Sequence, residues 1–307
     1  MAKVWLPYSD RAEAEERLGA IPDGIEVDCF TGDDWPDSIA EVEFFVLPYL
    51  TGPEMLDRVA EMAGLKVVQT LTAGVEAIIP LMPDGVQLCN AAGVHDTSTA
   101  ELALALTLAS GRQLDVAARN MPAGRWASGF GRALADLRVL IVGYGHIGEA
   151  IEARLAGFEV ASITRLARRP RDGEVVVHAI TDLPGLLPEA DVVYLIAPLT
   201  PETEGLIGAR ELGLLPDGAL LVNVARGKLV DTDALVAETA TGRIRAALDV
   251  TDPEPLPPDH PLWQIPDVLI SPHVGGASSA FWPRADRLIA AQLGRFARGE
   301  DLQNVIE

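Results

Sequence analysis

Short apolar runs, many of them β-branched at successive positions, recur along the chain and are bounded by turn residues. Nine such runs are FFVLP at 44–48, LKVVQTL at 65–71, RVLIVG at 138–143, EVASIT at 159–164, VVVHAI at 175–180, DVVYLIA at 191–197, ALLVNVA at 219–225, RAALDV at 245–250 and VLISP at 268–272. Strands that are apolar on both faces are typical of parallel sheets, because crossover helices cover both sides. Amphipathic segments of helix length, such as GEAIEARLAGF and DTDALVAETATGR, separate most of the runs. The alternation predicts an α/β fold built on parallel sheets.

The length of 307 residues exceeds what one hydrophobic core usually supports, so two domains are expected. The strongest single helix is DTSTAELALALTLASGR at 96–112, where Ser98 with Glu101 matches a capping box. A connection dotted with glycine, AGRWASGFGRAL, follows it. We therefore expect the chain to divide near residue 96, whereas the helix near Ala280–Arg298 fits either domain.

Charge and composition exclude several classes of partner. The chain has 45 Asp plus Glu against 24 Lys plus Arg, a net charge of -21, which argues against nucleic acid and anionic membranes as partners. The longest apolar helical stretch, ELALALTLA, is too short to cross a bilayer, and the N-terminus turns acidic before a signal sequence could form. Cys29 and Cys89 have no second pair for a metal site or disulfide framework, so both are expected to be free and buried. A soluble, cytoplasmic protein without a metal is expected.

The run VLIVGYGHIG places Gly143, Gly145 and Gly148 in G-x-G-x-x-G spacing between a strand and a helix. The first glycine permits a tight turn, the second lets a pyrophosphate approach the backbone, and the third lets helix and strand pack closely. The helix N-terminus, with His146 and Ile147, offers unpaired N–H groups and a positive dipole end to phosphates. The motif predicts dinucleotide binding; a purely structural turn is the alternative.

The next strand is expected to end at Ser162–Arg165, and no acid follows it until Asp172. In NAD-binding proteins, an Asp or Glu about 20 residues after the glycines holds the ribose 2′-hydroxyl. That acid is missing here, so the residues at the strand end are expected to bind a group other than the ribose 2′-hydroxyl of NAD.

Arginines stand at this place instead, in the stretch ITRLARRP. They are Arg165, Arg168 and Arg169, followed by Arg171. Guanidinium groups bind a 2′-phosphate through charge-assisted hydrogen bonds, so NADP(H) is expected in preference to NAD(H), which stays possible. Arg165 is the strongest candidate, Arg168 or Arg169 assists, and Thr164 leaves room for the phosphate. A solvated basic loop is the alternative.

Three further stretches carry polar residues just past buried strands, on the side where open α/β sheets bind ligands. They are NVARG with Arg226, LDVTDPEPLPPDHPLW with Asp249 and Glu254, and SPHVGGAS with His273. Singly, each has a plain structural explanation as a surface ion pair, a loop carboxylate or a loop imidazole. In this order, and after a dinucleotide motif, they indicate an active site.

With these stretches the chain resembles the D-isomer-specific 2-hydroxyacid dehydrogenases, of the glyoxylate or hydroxypyruvate reductase type, over nearly its whole length. The matching stretches are LTAGVE at 71–76, TAELALALTLA at 99–109, GRW at 124–126, GYGHIG at 143–148, APLTPETEGLIG at 197–208, NVARG at 223–227, ALDVTDPEPLP at 247–257 and SPHVGG at 271–276. By this resemblance Arg226, Glu254 and His273 are catalytic.

The resemblance also implies an architecture and further binding residues. A Rossmann dinucleotide-binding domain at 97–282 is inserted in a flavodoxin-like substrate domain at 1–96 plus 283–307, with the active site in the cleft, and the chain forms a homodimer. Further cofactor contacts are expected from Pro198, Thr203, Val224, Ala225, Asp249 and Gly275. Substrate contacts are expected from Ala73, Gly74, Val75, Arg226 and His273.

The chemistry of 2-oxo acid reduction explains these residue types. Arg226 binds the substrate carboxylate and polarises the carbonyl, and the backbone N–H groups of Gly74 and Val75 share the carboxylate. His273 donates the proton in reduction and accepts it in oxidation. Glu254, if hydrogen-bonded to the imidazole, favours its charged form and holds the ring. Local cations would thus attract a small anion despite the net charge.

Departures from related enzymes narrow the substrate. Glu254 stands where formate dehydrogenases have glutamine. Pro48 and Tyr49 replace the Arg-Ser pair that phosphoglycerate dehydrogenases tend to carry, and the chain ends at Glu307 without a regulatory domain. We expect a small 2-oxo acid such as glyoxylate or hydroxypyruvate. A phosphite dehydrogenase and a non-catalytic dinucleotide-sensing protein remain alternatives. Structural or surface roles are expected for the other histidines, which are His95, His146, His178 and His260.

Overall fold

The structure is a computed structural model that describes residues 1–306. Its strands are β1 Ala2–Leu6, β2 Ile25–Cys29, β3 Val42–Val46, β4 Val67–Gln69, β5 Gln87–Cys89, β6 Arg138–Val142, β7 Ser162–Ala167, β8 His178–Ala179, β9 Val192–Leu195, β10 Leu220–Asn223, β11 Arg245–Leu248 and β12 Val268–Ile270. Its α-helices are α1 Arg11–Leu18, α2 Asp96–Gly111, α3 Leu114–Asn120, α4 His146–Leu155, α5 Leu183–Leu186, α6 Ala209–Leu214, α7 Thr232–Ala240 and α8 Phe281–Arg298.

The chain divides into two compact units. The first comprises Met1–His95 and the residues from Ser279 onward, and the second comprises Asp96–Ser278. The second change of unit lies a few residues before the expected position at 283, so the whole of α8 belongs to the first unit.

The first unit is built on a parallel sheet with the strand order β2-β1-β3-β4-β5, the order of flavodoxin-like folds. Helix α8 packs on this sheet through an apolar stripe that includes Phe281, Ala285 and Ile289. The buried Gln292 of α8 donates to the side chain of Gln69 at the end of β4, at 2.7 Å. These contacts decide which unit α8 belongs to, a choice that the sequence left open.

The second unit is built on a seven-stranded parallel sheet with the order β12-β11-β10-β9-β6-β7-β8. The chain order reverses between β6 and β9, as in Rossmann folds, whose ligand crevice opens at such a reversal. Buried apolar clusters cover both faces of this sheet. The predicted α/β class is confirmed: the first unit has a flavodoxin-like sheet and the second unit has a Rossmann sheet.

Three strands of the first sheet were not predicted from the sequence; they are β1, β2 and β5. Strand β2 alternates polar and apolar residues, and β5 has only three residues, so neither forms a long apolar run. Strand β1 lies at the N-terminus without a preceding turn signal. Their places are decided by pairing with strands distant in sequence.

Two local predictions were wrong. Helix α2 already begins at Asp96, so Ser98 lies inside the first turn, where its hydroxyl shares a hydrogen bond of 2.6 Å with the hydroxyl of Ser278 instead of capping the helix. Cys29 is only half-buried, because it lies near the exposed end of β2, whereas Cys89 is buried as expected. Both thiols are free, and burial raises the pKa of each to about 11.

No helix within the described residues 1–306 combines the length and apolar character that a membrane crossing requires.

Candidate active site

The glycine turn between β6 and α4 has the geometry that its spacing predicts. Gly143 has a φ of +106°, and a Cβ there would lie 2.3 Å from the backbone N of Ala197. A Cβ on Gly145 would meet nothing within 4 Å, so the backbone there faces open space. A Cβ on Gly148 would lie 3.1 Å from the carbonyl oxygen of Gly143, which explains the close packing of helix on strand. The turn therefore fits a dinucleotide pyrophosphate.

The start of α4 adds donors to this turn. Among the described residues, no side chain caps the helix at Gly145, and the N–H of Glu149 donates to the carbonyl of Gly145 at 2.9 Å. The N–H groups of His146, Ile147 and Gly148 precede it and are available to phosphate oxygens. The dipole of α4 favours an anion at the same end.

A cavity of about 740 Å³ opens beside the turn, and we name it the dinucleotide cavity. Residues that follow the ends of β6, β7 and β9 line it, which places it where the strand order reverses. Its predicted members include Pro198 and Thr203, whose hydroxyl donates to the carbonyl of Pro198 at 2.7 Å. Arg168, Arg169 and Arg171 line the same cavity.

Arg165 lies elsewhere, because β7 continues to Ala167, two residues beyond the predicted strand end. Its guanidinium makes a bidentate contact with the carboxylate of Glu152 on α4. Nε donates to Oε2 at 2.6 Å, and Nη2 donates to Oε1. It also lies over the ring of Tyr144, 5.7 Å from the centroid. The hydrogen bond from Arg165 is the largest influence on Glu152 and holds its pKa below the usual range.

Thr164 also lies before the end of β7. It lines a separate cavity of only about 40 Å³ with Arg138 and Glu189, too small for a nucleotide phosphate group with its sugar. The two side chains that the sequence placed nearest the 2′-phosphate are therefore not among those lining the dinucleotide cavity. The later arginines of the stretch line it because they follow the true end of the strand.

Arg226 is held at the end of β10 by a buried asparagine that the sequence reasoning missed. The Asn223 side chain donates to the carbonyl of Arg226 at 2.9 Å and accepts the N–H of Ala225 at 3.1 Å. Next to it, a Cβ on Gly227 would lie 2.0 Å from the carbonyl oxygen of Thr251. An asparagine closing an apolar strand and a glycine after the arginine are the sequence signals for this support.

His273 and Glu254 are joined as the resemblance implies. The imidazole Nδ1 is hydrogen-bonded to Glu254 Oε1, and the side chains are 48% and 40% exposed. With Nδ1 donating to a carboxylate, Nε2 is left to exchange a proton with a substrate. The backbone of His273 is left-handed, with a φ of 51°, so the loop must be held in this conformation by its neighbours.

Asp249, at the end of β11, holds that loop. Its buried carboxylate accepts the hydroxyl of Ser271 at 2.6 Å and the N–H groups of Val274 and Gly275 at 2.9 and 2.7 Å. Its carbonyl oxygen accepts the N–H of His273 at 2.8 Å. The resemblance assigns Asp249 and Gly275 to cofactor binding. The structure adds a second role for Asp249, which is to hold the loop that carries His273.

The predicted substrate turn belongs to the first unit. The carbonyl of Ala73 accepts a hydrogen bond from the side chain of Asn90 at 2.7 Å, and that of Gly74 accepts the hydroxyl of Thr72 at 2.9 Å. Ala73 is exposed and Gly74 is half-buried, whereas the side chain of Val75 is buried in the core. The turn is thus rigidly held while part of its backbone stays accessible.

Residues 1–306 contain no group of three or more His, Cys, Asp or Glu arranged to hold a metal ion.

Comparisons with known proteins identify the family to which the chain is similar. Residues 104–275 match the family model for the NAD binding domain of D-isomer specific 2-hydroxyacid dehydrogenase. A glyoxylate reductase/hydroxypyruvate reductase from Mus musculus is 35% identical over 257 residues, covering 80% of this chain and 78% of that protein. A glyoxylate reductase from Thermofilum pendens is 33% identical over 310 residues, covering 95% and 91%.

Solved structures are similar over the full length. A D-isomer specific 2-hydroxyacid dehydrogenase from Xanthobacter autotrophicus, in complex with NADPH and MES, has a TM-score of 0.81 and 31% identity, with 100% and 98% of the chains covered. An NADPH-dependent glyoxylate/hydroxypyruvate reductase from Sinorhizobium meliloti, in complex with NADP and malonate, has a TM-score of 0.80 and 26% identity, covering 99% and 96%.

The fold and the site define a nicotinamide dinucleotide-dependent oxidoreductase. The chain belongs to the D-isomer-specific 2-hydroxyacid dehydrogenase family.

The support that Asp249 gives to His273 can be tested with Asp249→Asn. An amide replaces one acceptor oxygen by a donor, so at least one bond to the loop is lost, and kcat is expected to fall about tenfold or more. Steady-state kinetics measure the fall, with the exposed Asp233→Asn as control. A variant that retains wild-type kcat would show that the loop does not depend on this carboxylate.

Proposed function

We propose that this chain reduces small 2-oxo acids, of the glyoxylate and hydroxypyruvate type, with NADPH as the preferred cofactor. The observation that carries the proposal is the hydrogen-bonded pair of His273 and Glu254 at the strand edge that also bears Arg226. An acid, its positioning carboxylate and a cation for the substrate are what this reaction requires. The names of the relatives from mouse and Thermofilum support the substrate class.

The proposed mechanism divides the work among these residues. A reduced nicotinamide cofactor, held in the dinucleotide cavity, would supply the hydride for the carbonyl carbon of the substrate. Arg226 binds the substrate carboxylate and polarises the carbonyl group. His273 donates the proton on Nε2 to the carbonyl oxygen as negative charge develops there, while Glu254 accepts the hydrogen bond from Nδ1 and orients the ring. In the direction of oxidation, the same Nε2 accepts the proton.

The turn of Ala73, Gly74 and Val75 is proposed as the second group that binds the substrate carboxylate, through backbone N–H groups. The hydrogen bonds that hold its carbonyl oxygens support this role, because a preorganised turn costs little to order when the anion binds.

The alternatives make different predictions for one experiment. A panel of 2-oxo acids and phosphite, run with reduced and oxidised cofactors as each reaction requires, separates them. A reductase consumes NADPH with 2-oxo acids, a phosphite dehydrogenase reduces NADP⁺ with phosphite, and a dinucleotide sensor turns over neither. Turnover of glyoxylate or hydroxypyruvate is the expected result.

His273→Ala is expected to lower kcat for glyoxylate reduction by about 100-fold or more, because the proton donor is lost, while the dissociation constant of the cofactor changes little. Arg226→Ala is expected to abolish most of the 2-oxo acid reduction. His260→Ala serves as the control, because that ring has no predicted role in the reaction and accepts the N–H of Leu262 at 3.3 Å. Near-normal turnover of the His273 variant would remove this residue from the mechanism.

The proposed preference for NADPH is supported by Arg168, Arg169 and Arg171 in the dinucleotide cavity. A 2′-phosphate carries about -1.5 to -2 charges at neutral pH and is bound well by guanidinium groups. The neighbours from Xanthobacter and Sinorhizobium, crystallised with NADPH and NADP, support the same cofactor.

Arg168→Ser with Arg169→Ser is expected to lower the ratio of kcat/KM for NADPH to that for NADH by about tenfold or more, since each charge-assisted bond contributes about 1.5 to 3 kcal/mol. Arg165→Gln is the matched control, because Arg165 is occupied by Glu152, and it is expected to leave the ratio within about twofold of wild type. If the kcat/KM ratio fell in the Arg165 variant and not in the double variant, the 2′-phosphate contact would be assigned to Arg165 instead.

A homodimer in the cytoplasm is also proposed. Free cysteines fit a reducing compartment, which subcellular fractionation tests. Exposed apolar side chains in the second unit support self-association, because Met121, Trp126 and Phe130 are almost entirely outside the core.

Trp126→Ser with Phe130→Ser is expected to shift the protein toward the monomer in sedimentation velocity, by removing the exposed aromatic area that a partner chain would bury. Ser replacements of the less exposed Val175 and Val176 serve as the control. Equal masses for the wild type and the aromatic double variant would place the interface elsewhere.

A further inference from the structure

An acidic side chain shares the dinucleotide cavity with the arginines. Glu202, in the loop after β9, lines the cavity together with Arg168, Arg169 and Arg171. Among the described residues that line it, Glu202 is the one carboxylate. A negative charge in a site for a phosphate opposes binding of that phosphate, so its presence needs a physical explanation.

The loop holds Glu202 in a defined turn. The N–H groups of Thr203 and Glu204 both donate to the carbonyl of Thr200 at 3.0 Å, and the N–H of Thr200 donates to the Thr203 hydroxyl at 2.8 Å. Hydrogen bonds from the Thr200 side chain and from its own backbone lower the pKa of Glu202, and the charge of Arg168 lowers it further. The carboxylate is therefore ionised at neutral pH, and its field reaches Arg168.

The arginines differ in what already occupies them. Arg171 donates to the carbonyl of Tyr144 at 2.9 Å and lies over the Tyr144 ring. In the described part of the chain, no salt bridge within 4.0 Å joins Arg168 or Arg169 to a carboxylate. Glu202 thus acts on Arg168 as a nearby charge and not as a fixed ion-pair partner.

We infer that Glu202 is a specificity-determining residue that competes with the cofactor 2′-phosphate for Arg168 and thereby lowers the preference for NADPH over NADH. The inference rests on the proposed binding of the 2′-phosphate by the arginines. A cofactor with a 2′-hydroxyl adds no charge at this position, so Glu202 opposes the phosphorylated dinucleotide selectively. Glu202 therefore limits the preference that the arginines create.

Two nucleotide probes isolate the effect without any turnover. Adenosine 2′,5′-bisphosphate and adenosine 5′-monophosphate differ only in the 2′-phosphate, and calorimetric titration at low ionic strength gives both dissociation constants. Glu202→Gln is expected to tighten the bisphosphate about two- to fivefold and to leave the monophosphate nearly unchanged, as an exposed charge pair allows. The effect should shrink at high salt, because screening weakens exposed charges.

Matched variants separate charge from structure. Glu204→Gln removes the same charge from an exposed position of the same loop outside the cavity lining, and it is expected to leave both constants unchanged. Glu202→Asp keeps the charge and is expected to retain the wild-type ratio. A ratio that Asp fails to retain would show that the role of Glu202 is structural.

The outcomes also separate this inference from the proposed function. If Glu202→Gln behaves like Glu204→Gln, or tightens both probes equally, Glu202 does not discriminate the 2′-phosphate and the inference is overturned. If the Arg168 and Arg169 double variant still loses its selectivity for the bisphosphate in that case, the proposed NADPH preference stands alone. If that double variant keeps its selectivity, both fail together.

Discussion

The direction of the strands in the second sheet is the constraint on which the site depends. Because all seven strands run parallel, their carboxyl ends meet at one edge, and each following loop starts there. The glycine turn after β6, the arginines after β7, Pro198 after β9, Arg226 after β10 and His273 after β12 therefore lie on one edge although 130 residues separate the first from the last. An antiparallel strand would have placed its loop at the other edge.

Buried polar side chains then give these loops their shape. The side chain of Asn223 binds the N–H of Ala225 and the carbonyl of Arg226. The Asp249 carboxylate accepts hydrogen bonds from three donors of the loop that carries His273. A buried carboxylate or amide is tolerated only when its hydrogen bonds are satisfied, so each of these side chains admits few loop conformations. The positions of the catalytic groups are thus set by residues that need not touch the substrate.

The chain has a net charge of -21, yet its local pairing of charges leaves some arginines available to an anionic ligand. Glu152 neutralises Arg165 inside the fold, while Arg168 and Arg169 form no salt bridge within 4.0 Å among the described residues and give the dinucleotide cavity its positive character. Arginines that are close together in sequence thus serve different purposes. Burial and pairing decide which of them is available to a ligand.

Much of this could be predicted from the sequence by itself. Apolar runs separated by amphipathic segments determined the α/β class, and the spacing of Gly143, Gly145 and Gly148 determined the turn, because both depend on local rules of packing and backbone conformation. The motifs around Arg226, Glu254 and His273 indicated the family. Short or alternating strands such as β2 and β5 escaped, since their pairing partners are distant in sequence.

Only the tertiary structure decided which arginine reaches the dinucleotide cavity. Strand β7 pairs with β6 through Val142 and Leu166 and with β8 through Leu166 and His178, which extends it past the predicted end. That extension turns Arg165 toward Glu152 and leaves Arg168 as the first residue after the strand. The end of a strand depends on the length of its neighbours, and no periodicity within one segment contains that information.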